Sequence, residues 1–185
     1  MPVAALVVTA FVLAGCVHRA PSPDDAGAAS AAEPHVEELA RAIAALDGGV
    51  DAGEARAAAH TALVATNELA GAYRMTWPPL LHNALVNTGL RDRGLCCHWA
   101  EDLGARLREL GLRTLDVHWV VAHRGNRLRE HNSPLVAPRG AGPERGLVLD
   151  GWRRAGELVW APYAADAYPW ELHPASGRWD ALRCR

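Results

Sequence analysis

Apolar positions along the chain change their period once. Between His35 and Leu46, residues Val36, Leu39, Ala40, Ile43 and Leu46 recur at helical spacing, and Gly48-Gly49 closes the run. Residues 51 to about 72 are alanine-rich with Leu63, Leu69 and Ala70 on one side, which predicts a second helix. Trp77-Pro78-Pro79 interrupts it, and either proline also suits the first turn of a third helix through Leu80, Leu81, Leu85 and Val86. Arg91-Asp92-Arg93-Gly94 reads as a turn, followed by a fourth helix from about Cys96 to Leu110 that Gly111 stops. Beyond Gly111 the period falls to two: Val117, Trp119, Val121 and His123 alternate with His118, Val120 and Ala122. Residues 131–137, 147–150 and 157–161 predict three further strands. Helices first and an antiparallel sheet second predict an α+β domain. The stretch from Tyr163 onward has aromatics and prolines but no period, and is expected to wrap the sheet.

The amino terminus follows other rules. Val3 to Leu13 is an apolar run too short to span a bilayer as a mature helix, and it reads as the hydrophobic centre of a secretion signal. No lysine or arginine precedes it, although such signals usually open with positive charge. Leu13-Ala14-Gly15-Cys16 resembles a bacterial lipobox. The resemblance implies cleavage of residues 1–15, a diacylglycerol on Cys16 with acyl chains such as palmitate, and a lipid anchor in the membrane. Val17 in place of an aspartate implies sorting to the outer membrane, facing the periplasm, in preference to the inner one. Residues 16–33 are rich in Ala, Pro, Ser, Asp and Gly, the composition of a tether. Residues 34–185 then suffice for one core but not comfortably for two domains.

Composition narrows the chemistry. Every basic residue is arginine, and the formal net charge of -2 lacks the basic excess of a nucleic-acid surface. The clusters Arg91/Arg93, Arg124/Arg127/Arg129 and Arg153/Arg154 read as solvated faces or as a local grip on an anionic substrate. Four cysteines are present, and with Cys16 lipidated, Cys96, Cys97 and Cys184 remain. An odd set in an oxidising compartment leaves at least one thiol unpaired within the chain. Cys97–Cys184 and Cys96–Cys97 bridges both stay open. Adjacent cysteines do not readily share one tetrahedral ion, and no second short-spaced pair completes a zinc site, so neither metal nor cofactor is expected.

Cys96, His131 and Asp150 carry the candidate reaction. An Asp that orients an imidazole, an imidazole that moves a proton and a thiol that attacks a carbonyl form a minimal acyl-transfer set. Cys96 shares a helical stripe with Ala100, Leu103, Leu107 and Leu110, which must face the sheet. Cys97 leads to Glu101, Gly104 and Arg108, and His98 to Asp102, Ala105 and Glu109, both read as solvent-facing rows. A thiol in a first helical turn also meets unpaired N–H groups and the positive dipole end. A buried structural cysteine is the plain alternative. His118 and His123 rival His131, and Asp116 rivals Asp150, for which turn capping is the plain alternative.

Gly94, Cys96, Trp99 and Ala100 resemble the Gly-x-Cys-x-x-aromatic-Ala segment of the transglutaminase-like superfamily of papain-related cysteine enzymes. Leu149-Asp150-Gly151-Trp152 resembles the family's Asp segment, and His131 falls where its histidine would. The likeness covers about Leu80 to Trp160, with residues 34–75 a helical part before this core and 161–185 a wrap after it. Asn132 departs from the family's small residue followed by Trp, and Cys97 is an unusual neighbour for the nucleophile. The resemblance implies a thioester acyl-enzyme formed from an amide or peptide bond and resolved by water or an amine. It also implies an oxyanion hole from the Cys96 N–H and an upstream polar group, for which Asn83 and Asn87 are candidates. No Asp/Asn-rich calcium loop is present. The expected substrate is an envelope protein, a peptide or a peptidoglycan peptide. A catalytically inactive binding or structural lipoprotein of the same fold is the alternative.

Overall fold

In a computed structural model of the chain, residues 23–178 and Cys184 are described. The signal, the lipobox and Cys16 lie outside the described residues. Two compact units are distinguished, residues 1–31 and 32–185, and of the first only the helical residues 23–31 are described.

The fold is α+β, four helices followed by a five-stranded antiparallel sheet. The helices are α1 (Pro23–Ala44), α2 (Ala52–Tyr73), α3 (Pro79–Asn87) and α4 (Cys96–Glu109). The strands are β1 (Leu115–Ala122), β2 (His131–Pro138), β3 (Leu147–Arg154), β4 (Glu157–Pro162) and β5 (Trp170–Leu172), in the order β4-β3-β2-β1-β5. Helix α1 starts at Pro23, inside the stretch whose composition suggests a tether, and its alanines explain why that stretch turns helical.

Local chemistry bounds α2 and opens α3. Asp51 caps α2 by accepting the Glu54 N–H at 2.9 Å, and Arg74 ends it in the left-handed conformation. Pro79 sits in the first turn of α3, where no N–H is required. The alanine stripe Ala55, Ala58, Ala59, Ala62 and Ala65 is buried, so α2 lies close against α4.

Strand alternation sorts the sheet into two faces. Leu115, Val136, Leu147 and Leu149 pack with Leu103 and Leu107 of α4 and with the α1 and α2 stripes. Val120, Ala122, Leu135, Ala137 and Val148 lie on the other face, under Trp170, Tyr163 and Tyr168. The tail therefore covers one face and also adds β5 along β1, with Ala122 opposite Trp170. This strand was not foreseen, because three residues bounded by Pro169 and His173 show no period. Strand β1 also stops one residue early: His123 leaves it with φ 53° and opens the turn to β2.

Candidate active site

Helix α4 is fixed at its first turn by several contacts that converge there. The Nδ1 of His98 accepts the N–H groups of Gly94 at 3.1 Å and Leu95 at 3.2 Å. This reaching-back bond is why His98 is buried although it begins a row read as solvent-facing. Arg93 donates to Glu101 at 2.8 Å and to Asp102 at 2.8 and 3.0 Å, so this part-exposed charge also clamps the helix start. Gly94 has φ 120°, and a Cβ there would lie 2.2 Å from His82 Nε2, so only glycine fits this approach. That same Nε2 is bonded to the Arg93 carbonyl at 2.9 Å. Cys97 is disulfide-bonded to Cys184, with Cα atoms 5.6 Å apart, and packs beside Ala100 and Trp119.

Cys96 remains the free thiol among the described residues and is partly exposed. Its Sγ lies 3.7 Å from the Glu130 carbonyl oxygen and 4.0 Å from Asn132 Nδ2, at the start of β2. Across that strand end, His131 Nε2 is 2.5 Å from Asp150 Oδ2, and both side chains are almost wholly buried. The ring is enclosed by Trp152, Tyr168 and Trp170, with centroids 4.9, 4.7 and 5.3 Å away. His131 Nδ1 is buried and makes no hydrogen bond, yet the ring is near enough to the Cys96 sulfur to be influenced by it.

The electrostatics follow from those contacts. Burial alone would push the His131 pKa down, but Asp150 outweighs it, with help from Cys96, and the ring titrates at about 9. Burial would likewise raise Asp150. The His131 charge and bond, with Arg153, hold its carboxyl below the ordinary 3.8. Asp150 Oδ1 accepts the N–H groups of Trp152 at 2.9 Å and Arg153 at 3.0 Å, while Oδ2 accepts Arg153 Nε at 3.0 Å as well as the ring. Turn capping and ring orientation are thus the work of one carboxylate. Arg153, expected on a solvated face, continues to Asp166 at 2.9 Å.

The other candidates separate cleanly. Asp116 sits at the far end of β1 and pairs with Arg139 and the Gly140 N–H. His123 lies in the turn beside Arg129. Asn83 Oδ1 accepts the Trp152 indole N–H at 3.1 Å, and Asn87 is exposed at the end of α3; neither has a described contact with Cys96. Asn132, visible in the sequence only as a departure from a familiar pattern, is the amide side chain that lies beside Cys96, with Nδ2 4.0 Å from Sγ. Among the described residues no group of three His, Cys, Asp or Glu could hold a metal ion, and no helix is long and apolar enough to cross a membrane. No protein-family model, curated protein or solved structure matches the chain.

Proposed function

We propose that this chain is a transglutaminase-like, cysteine-dependent acyl-transfer enzyme of the cell envelope, acting on an amide or peptide bond. The observation that carries the reading is the buried His131–Asp150 pair beside a free thiol at the start of α4. The ring holds a proton at neutral pH; where it is neutral it takes the Cys96 proton, and the freed sulfur attacks a carbonyl carbon. His131 gives its proton to the leaving nitrogen as the C–N bond breaks, and a thioester on Cys96 results. Water then attacks the thioester, the ring takes the water proton, and the acid product leaves with Cys96 restored. Hydrolysis is favoured over cross-linking because water is abundant and no amine pocket is recognisable among the described residues. The Cys97–Cys184 bridge supports an oxidising compartment, as the lipobox resemblance does. An outer-membrane lipoprotein facing the periplasm, cutting envelope protein or peptidoglycan peptide, is the placement that fits both.

A second reading has its own support. His131 Nδ1 makes no hydrogen bond to Cys96, as in a fold kept for binding after activity is lost. Iodoacetamide at neutral pH tests the accessible, reactive Cys96 that the enzymatic reading requires. Peptide mapping should place the label on Cys96 of the non-reduced chain and find it abolished in Cys96→Ala. Labelling of Cys97 in place of Cys96, or of neither, would overturn the enzymatic reading.

A further inference from the structure

We infer that Asn132 is the side-chain donor of the oxyanion hole for acyl transfer at Cys96, an inference that rests on the reading above. Asn132 is only 4% exposed, on the strand position next to His131 and directed to the opposite, helix-bearing face of β2. Its Oδ1 accepts the Trp119 indole N–H at 2.8 Å. An indole can only donate, so this bond fixes which end of the amide is oxygen and turns the NH2 group toward α4. Nδ2 lies 4.0 Å from Cys96 Sγ and 3.4 Å from Glu130 Oε1.

That placement suits a transition state better than a resting state. When sulfur bonds to a carbonyl carbon, the new oxyanion hangs from that carbon between the sulfur and any donor at this range, within about 3 Å of it. Cys96 opens α4, so its backbone N–H belongs to the first turn, which has no intrahelical acceptor. The Cys96 N–H and Asn132 Nδ2 thus form a pair of donors, one from the helix and one from the strand. Trp119 locks the second in place before substrate arrives. The upstream positions Asn83 and Asn87 lack this access.

A pair of reagents isolates the role, because only one of them passes through an oxyanion. With p-nitrophenyl acetate, the Cys96 S–C bond forms through a tetrahedral oxyanion, and p-nitrophenolate leaves with the electrons of the broken C–O bond. Where Cys96 still carries its proton, that proton passes to the neutral form of His131. Iodoacetamide alkylates the same sulfur with loss of iodide and no oxyanion. In the full-length oxidised chain, Asn132→Asp keeps the acceptor for Trp119 but removes the donor, and Asn132→Ala removes both. Acylation of Cys96 in either variant should fall by about 10²-fold or more, while alkylation at the same pH changes by no more than about fivefold. Trp119→Phe, which leaves the amide but frees it to turn, should lose acylation by an intermediate factor, and Asn87→Ala should match the parent. Equal losses in both reactions, or acylation unchanged in Asn132→Asp, overturn the assignment. A parent chain whose Cys96 reacts with neither reagent overturns the enzymatic reading and this inference together. A parent that alkylates and acylates normally beside an unaffected Asn132→Asp overturns the inference alone.

Discussion

Asp150 accepts from a ring nitrogen, a guanidinium and two backbone amides, so its charge is balanced from three sides although water is excluded. Removing that charge should act first on the ring. In Asp150→Asn the His131 pKa should fall from about 9 toward or below its ordinary 6.5, since the remaining burial favours the neutral form; NMR titration of the ring protons reads this directly. The same shifts set the pH dependence of stability. His131 is raised, so its contribution is complete below 6.5 and is lost as pH climbs through about 9. Asp150 is lowered, so its contribution is complete above 3.8 and is lost as pH falls through its depressed native value. Urea midpoints should therefore decline on both flanks, and Asp150→Asn should flatten the alkaline one. Residue types at this site were partly legible in the sequence. A carboxylate closing the apolar run 147–149 needs a cationic partner, and that physical requirement pointed at Asp150. Nothing in the sequence marked Asn132 as close to Cys96, because the contact depends on the register of β2 beneath α4.

Elements were legible where a period was sustained. Helices α2, α3 and α4 fall within a residue or two of the boundaries that capping and periodicity imply, since the Asp51 cap and the proline opening of α3 are local chemistry. Strands β2 and β4 begin where expected, but β3 runs on to Arg154 through an irregularity after Asp150 that no alternation could reveal. Trp99 joins β3 to α4 closely. A Cβ on Gly151 would lie 2.6 Å from the Trp99 ring and 3.2 Å from the Thr66 methyl, with Trp99 itself fully buried. Gly151→Ala should cost about 1–3 kcal/mol, measured by denaturant unfolding. Because the displaced helix carries Cys96, its alkylation rate should change as well.

At the scale of the whole molecule, the fold class was readable because one change of period divides the chain, whereas the pairing of cysteines was not. The bridge ties Cys97 to Cys184 across a separation of 87 residues that contains the entire sheet. Closing a loop of that size restricts the unfolded chain by about 4–5 kcal/mol in the chain-entropy account. Reduction with a strong dithiol should therefore lower the thermal midpoint well below that of the oxidised protein, with calorimetry as the check. The tail held by this bridge also supplies Tyr168 and Trp170, which enclose His131. A ribosome delivers Cys96, His131 and Asp150 before any of these closing residues. The thiol is made early and its surroundings late, so the aromatic enclosure of His131 is completed only after the last strand has been synthesised and has paired along β1.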